Sequence, residues 1–205
     1  MTEADVTVHS LSALRAAEAD CTRCPLYKFA TQVVSGEGPA HARIMMVGEQ
    51  PGDQEDLAGK PFVGPAGRVL DQAIEEAGID RTLVFVTNAV KHFKFEQRGK
   101  RRLHKRPNAY EIDRCHWWLD MEKTLVKPEI VVALGATALR SITGKPLSIM
   151  KVRGRFVPLA SGGRFLATIH PSYLLRIRDE ADKRKQHRMF VKDLTMCREA
   201  LGKAA

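Results

Sequence analysis

Four short stretches of the chain, residues 43–47 (RIMMV), 83–86 (LVFV), 130–134 (IVVAL) and 165–169 (FLATI), are apolar at almost every position instead of alternating with polar residues. Continuous apolarity over four or five residues rich in Val and Ile predicts strands buried on both faces, the pattern of a parallel sheet. Between them the apolar positions recur at helical spacing. The spacing predicts helices over 67–77, closed by Gly78, over 109–125, opened by Pro107 and Asn108, and over 136–142, closed by Gly144. A short helix over 11–18 precedes the first strand, a last amphipathic helix covers 184–201, and residues 151–158 read as an added strand or hairpin. Strand and helix alternate along the chain, so the fold class is α/β, with ligands expected beyond the carboxyl ends of the strands.

A chain of 205 residues is long enough for one domain with a real core. Its net charge of +9 is concentrated in two places, residues 91–107 and 176–188. In the first, eight basic residues stand against the single acid Glu96 and surround His104. A localised cationic excess directly after an apolar run points to a polyanion such as DNA or RNA, where a solvated loop is the plainer alternative. The acidic N-terminus lacks an apolar leader core, and the longest apolar run, around 130–139, is too short to cross a bilayer. A cytoplasmic protein without membrane contact, nucleoid-associated when bound to DNA, is the expectation.

Cys21 and Cys24 form a C-x-x-C pair after the first helix, and Cys115 and Cys197 lie far downstream. In a reducing compartment such spacing reads as a metal site or a redox pair; the pair follows a helix and not a strand, which favours metal. Three strand ends carry unusual chemistry: GEQPGDQED (48–56), TNAVKH (87–92) and HPSYLLR (170–176). Each is weak alone, but all three fall on one sheet edge.

GEQPG, GKPFVGPAG, the Asn of TNAVKH, the helix bearing Cys115 and HPSYLLR, in this order and spacing, resemble the family 4 uracil-DNA glycosylases over nearly the whole chain from Cys21 onward. GEQPG together with the inserted KRRLH loop resembles the UdgX branch of that family. The resemblance implies a three-layer α/β/α fold on a four-stranded parallel central sheet, in one domain over 1–205 with a basic loop inserted at about 94–107. It also implies a [4Fe–4S] cluster held by Cys21, Cys24, His92 and Cys115, with His92 where the family places a cysteine. By donor set alone a Cys₃His site favours zinc, and the resemblance favours iron–sulfur. Cys197 is left over as a buried free thiol.

The implied partner is uracil-containing DNA, single-stranded before double-stranded, with free uracil as product and the protein a monomer. The site residues follow from the same motifs. Gln50, Phe62, Asn88 and His170 are placed against the uracil: Phe62 stacks on the flipped base, Asn88 offers the donor and acceptor that suit the imide edge, and His170 donates to the departing base. Glu49 holds His104. Asp53 and Asp56 brace the inserted loop through Arg102, and Ser172 and Arg176 hold a flanking phosphate. His104 is the proposed nucleophile, because a neutral imidazole nitrogen can attack C1′ and its basic neighbours disfavour the imidazolium, keeping that nitrogen free. Three outcomes stand side by side: excision ending in a covalent complex, ordinary multiple-turnover excision, and uracil-DNA binding without cleavage.

Overall fold

The computed structural model describes residues 8–159 and 162–202. Helix α1 (Leu11–Ala19) is capped by the Ser10 hydroxyl, which accepts the Ala13 N–H at 3.1 Å, and a 3-10 turn follows at Pro25–Lys28. Then come β1 (Ile44–Gly48), α2 (Asp53–Ala58), α3 (Pro65–Glu76), β2 (Val84–Asn88) and a hairpin of β3 (Phe95–Arg98) and β4 (Arg101–His104). The second half holds α4 (Ala109–Val126), β5 (Ile130–Leu134), α5 (Ala136–Thr143), α6 (Ile149–Val152), β6 (Phe156–Pro158), β7 (Arg164–Thr168), α7 (Pro171–Leu174) and α8 (Glu180–Gly202). Among the described residues no helix is long and apolar enough to cross a membrane.

The main sheet runs β2-β1-β5-β7-β6. Its first four strands are parallel, and β6 joins antiparallel to β7. The expected four-stranded sheet is therefore five-stranded and mixed. The extra strand comes from the 151–158 segment, whose first residues form α6 and whose last three, ending at Pro158, cover the open edge of β7. A short, proline-bearing strand is a common way to end a sheet without leaving an adhesive edge.

Alternate residues of the apolar strands face opposite layers. Ile44, Met46, Val84, Val86, Val132 and Leu166 point into one core with α3 and α8, and Met45, Val47, Phe85, Val131, Phe165 and Ala167 point into another with α4 and α5. This two-sided burial explains why the sequence shows no alternation there. The chain leaves β1 toward β2 on one side and returns to β5 on the other, so the direction of winding reverses between β1 and β5. Crevices open at such reversals, beyond the carboxyl ends of the strands.

A third, smaller core packs α1 on α4 and holds Leu14, Ile112, Trp118, Cys21, Cys24 and Cys115. Beside it lies a buried ion pair: Lys91 Nζ is 2.7 Å from Glu122 Oε2, and both side chains are sealed from solvent. Glu122 also accepts from the Gly36 N–H at 3.0 Å and from the Thr87 hydroxyl. Removing one member of such a pair strands the other charge, so Lys91→Met is expected to lower stability by about 3–5 kcal/mol, measured by urea unfolding. A loss below about 1 kcal/mol would show that Glu122 finds other neutralisation.

Candidate active site

The end of β1, the end of β2 and the start of α7 converge on a small pocket. Gly48 pairs in register with Asn88, and a methyl group on Gly48 would lie 2.3 Å from Asn88 Oδ1 and 2.7 Å from Phe62 Cζ. Only glycine lets the Asn88 amide and the Phe62 ring meet over this strand end. Phe62 itself has φ +57, a strained conformation for a bulky side chain, found where a ring must be aimed and not merely buried. Glu55 fixes the two loops, accepting from Gly52 N–H at 3.0 Å and Gly64 N–H at 2.7 Å. The Phe62 and His170 rings lie near-parallel, 6.3 Å between centroids.

His170 caps α7, its Nδ1 accepting the Ser172 N–H at 3.2 Å and lying 2.8 Å from Ser172 Oγ, which in turn accepts from Arg176 at 3.0 Å. An accepting Nδ1 assigns the remaining proton to Nε2, the nitrogen left to meet a ligand. Burial, then the charges of Arg176 and His104, pull its pKa down to about 4, so the ring is neutral. Ser172 and Arg176, expected on a phosphate, bind each other and His170 in this state.

The basic loop expected at 94–107 is an ordered hairpin. Its closing bonds include Lys105 N–H to Lys94 O at 2.9 Å. Gln50 ties both ends of the hairpin to the site: its Nε2 donates to Lys94 O at 3.0 Å and Lys105 O at 3.2 Å, and its Oε1 accepts from Lys94 N–H at 3.2 Å. Its side-chain amide is thus engaged with the hairpin backbone. Arg102 donates to Asp53 Oδ1 and Asp56 Oδ2, both at 2.6 Å, and its guanidinium lies over Phe93 and Phe95. These bonds hold His104, on the last residue of β4, with Nε2 3.5 Å from Glu49 Oε1. His104, Glu49, Arg106, Gln50, His170 and Ser172 all line one cleft of about 1000 Å³. A groove of about 1180 Å³ lies at the amino ends of β5 and β7, lined by Lys127, Glu129 and Phe156, away from every motif loop.

Cys21, Cys24 and Cys115 are buried in the third core as free thiols. Cys21 Sγ accepts the Trp118 indole N–H at 3.1 Å and Cys115 Sγ the Lys91 N–H at 3.2 Å. Burial pushes the Cys24 and Cys115 thiols up, a desolvation that a bound metal would reverse by taking the thiolates. His92, next to Lys91, is buried, and desolvation holds it neutral, the form that ligates. No group of three or more His, Cys, Asp or Glu among the described residues has the geometry of a single-ion site. Three soft sulfur donors, two of them receiving N–H bonds, fit a thiolate-held group in their chemistry. Cys197 stands apart, buried in α8 within the main core.

A sequence profile of the uracil DNA glycosylase superfamily matches residues 35–195. The chain belongs to the uracil-DNA glycosylase superfamily. The type-4 uracil-DNA glycosylase of Thermotoga maritima is 42% identical over 165 residues, covering 80% of this chain and 82% of that protein. The type-4 enzyme of Pyrobaculum aerophilum is 35% identical over 184 residues, 86% of this chain and 87% of its own length.

In this glycosylase superfamily member two site residues went unread in sequence: Thr137 and Arg106. Thr137 is buried, donates its hydroxyl to Glu49 Oε2 and accepts from Arg106 Nε at 3.3 Å. The signal was GAT (135–137) directly after the apolar run 130–134, a fourth strand end on the same sheet edge. The depressed pKa of His170 gives the glycosylase a pH signature. An unfolded His takes up its proton near 6.5 and the folded one near 4, so stability is full above 6.5 and falls as pH drops between those values, by up to about 1.4 kcal/mol per pH unit. His170→Asn is expected to flatten that slope in urea unfolding between pH 6.5 and 4; an unchanged slope would mean that His170 titrates normally.

Proposed function

We propose that this protein excises uracil from DNA and ends joined through His104 to C1′ of the exposed sugar, in the manner of the UdgX branch. The observation that carries the reading is the placement of His104. A nucleophilic ring 3.5 Å from the Glu49 carboxylate, on a hairpin pinned by Gln50 and Arg102, opens onto the cleft that His170 shares. The names of the type-4 relatives supply the substrate class.

Uracil inside a stack is out of reach, so the nucleotide swings out and the base enters between Phe62 and Asn88. The Asn88 amide offers one donor and one acceptor to the imide edge and mismatches the amino group of cytosine. The unprotonated nitrogen of His104 forms a bond to C1′ as the C1′–N1 bond breaks, and the electron pair leaves with uracil. Negative charge grows on uracil O2 in the transition state, where a neutral, preset His170 Nε2–H strengthens its bond most. The alkylated imidazolium gives up its remaining ring proton to Glu49 or solvent. The product is a neutral N-glycoside.

Cys21, Cys24, Cys115 and His92 are the residues that would hold a [4Fe–4S] cluster, supported by the buried thiols and their N–H donors. Such a cluster supplies a cross-link between the N-terminal turn, the loop after β2 and α4, together with redox capacity. Purified protein is expected to be brown, with about four irons and four sulfides per chain, and Cys24→Ala to lose both. A colourless protein with one zinc would overturn the cluster and leave the base chemistry standing.

The trapping reading is tested with a single-stranded uracil-containing oligonucleotide. Wild-type protein is expected to give one denaturant-resistant adduct per molecule and one released uracil, with peptide mass spectrometry placing the adduct on His104. His104→Ala is expected to release uracil catalytically without an adduct. Uracil in molar excess from the wild type would make it an ordinary glycosylase, and a complex that dissolves in SDS without uracil release a binding module.

A further inference from the structure

We propose that Thr137 is a positioning residue for Glu49, and that its hydroxyl, oriented by Arg106, decides which carboxylate oxygen faces His104. This rests on the reading in which Glu49 serves the chemistry at C1′, and it adds a residue from a strand end that no motif had drawn into the site.

The argument is directional. A guanidinium has donors and no acceptor, so the contact between Arg106 Nε and Thr137 Oγ1, at 3.3 Å, uses an oxygen lone pair. The single hydroxyl hydrogen is then committed elsewhere, and Glu49 Oε2 is the oxygen it meets. Arg106 Nε also stands 3.6 Å from that same Oε2. Both partners therefore occupy one oxygen of the carboxylate and leave the other, Oε1, for His104 Nε2. A glutamate on a loop would otherwise rotate freely about its last torsion. Here that rotation breaks a charge-assisted bond to a side chain fixed in the first turn of a helix.

The fold explains why Thr137 can do this. Glu49 follows β1 and Thr137 follows β5, the two neighbouring strands between which the winding reverses, so the bond spans the crevice mouth. Gly135, with φ +91, starts α5 at this level, and a methyl group there would lie 3.1 Å from His170 Cβ. The turn that presents Thr137 is thus packed against the histidine that serves the leaving base. Arg106 is two residues beyond His104, so one end of the device travels with the inserted hairpin and the other with the sheet.

The test is a double-mutant cycle read by the single-turnover rate of adduct formation with uracil-containing oligonucleotide. Thr137→Val keeps the shape and removes the hydroxyl; it is expected to slow the reaction roughly ten- to a hundredfold, the scale of one hydrogen bond to a charged group, while oligonucleotide affinity and urea midpoint hold. Thr137→Ser should restore the rate to within about threefold. In a Glu49→Gln background Thr137→Val should have little further effect. Additive losses, a failure of serine to rescue, or an equal loss of affinity would overturn the role. If the wild type forms no adduct and releases uracil repeatedly, the trapping reading fails by itself, and the same cycle run on uracil release decides the fate of Thr137 separately.

Discussion

An ammonium group sealed from water fixes the geometry on which both candidate centres depend. Lys91 reaches back along its own turn to Thr87 and across to Glu122 on α4, while Glu122 also takes the Gly36 N–H from the loop before β1. Burying such charges is unfavourable unless every bond is made, so the network tolerates one arrangement of β2, α4 and the 36 loop and rejects slipped ones. The turn from Asn88 to His92 is the segment so pinned. One end presents the Asn88 amide to the base pocket, the other carries buried His92, and between them the Lys91 N–H meets the Cys115 sulfur. Desolvation also lifts the carboxyl of Glu18, to about 7, against the opposing pull of Lys91. The cysteine pocket and the pocket at Asn88 thus share one five-residue segment.

The inserted hairpin solves a different electrostatic problem. Eight cations in seventeen residues repel each other, and an unbraced loop of that composition would extend into solvent. Three groups counter this. Asp53 and Asp56 take Arg102, Glu111 takes Lys94 at 2.8 Å, and the faces of Phe93 and Phe95 lie under the Arg102 guanidinium. Arg98, Lys100 and Arg101, at the tip around Gly99, stay exposed. The bracing is strongest near His104 and weakest at the tip, which suits the proposed nucleophile, a group that would have to hold position beside side chains that can follow a phosphate backbone.

The apolar runs were legible because two-sided burial leaves a continuous signal: all four strands lie within one or two residues of where the pattern put them, and 130–134 matches without a shift. The sheet's fifth strand was half visible, since three residues ending in proline carry too little periodicity to separate a strand from a hairpin. No helix was expected over 53–58, yet these residues form α2, because the Asp and Glu that look like solvated charge are helix-start residues, and Glu55 turns back to the Gly52 N–H. The last helix starts at Glu180, four residues before the expected 184, because its first turns are charged and its first buried apolar side chain is Phe190. Side-chain direction was the illegible part. Nothing in GEQPG says that the Gln50 amide faces the hairpin backbone, and nothing in GAT says that Thr137 meets Glu49, since both depend on a contact between segments 44 and 88 residues apart.

The two histidines of the cleft constrain each other in a way that bears on whether an adduct could persist. Burial first, then the charge of Arg176 and any charge on His104, keeps the His170 ring neutral. In the proposed reaction a neutral His170 donates one hydrogen bond to uracil, a bond that would gain as the base becomes an anion. In the proposed product, expelling imidazole from a neutral N-glycoside would require putting a proton back on the ring. Glu49 is the group able to return that proton, and Thr137 and Arg106 engage its second oxygen. The persistence of the proposed adduct would then rest on how readily Glu49 returns that proton.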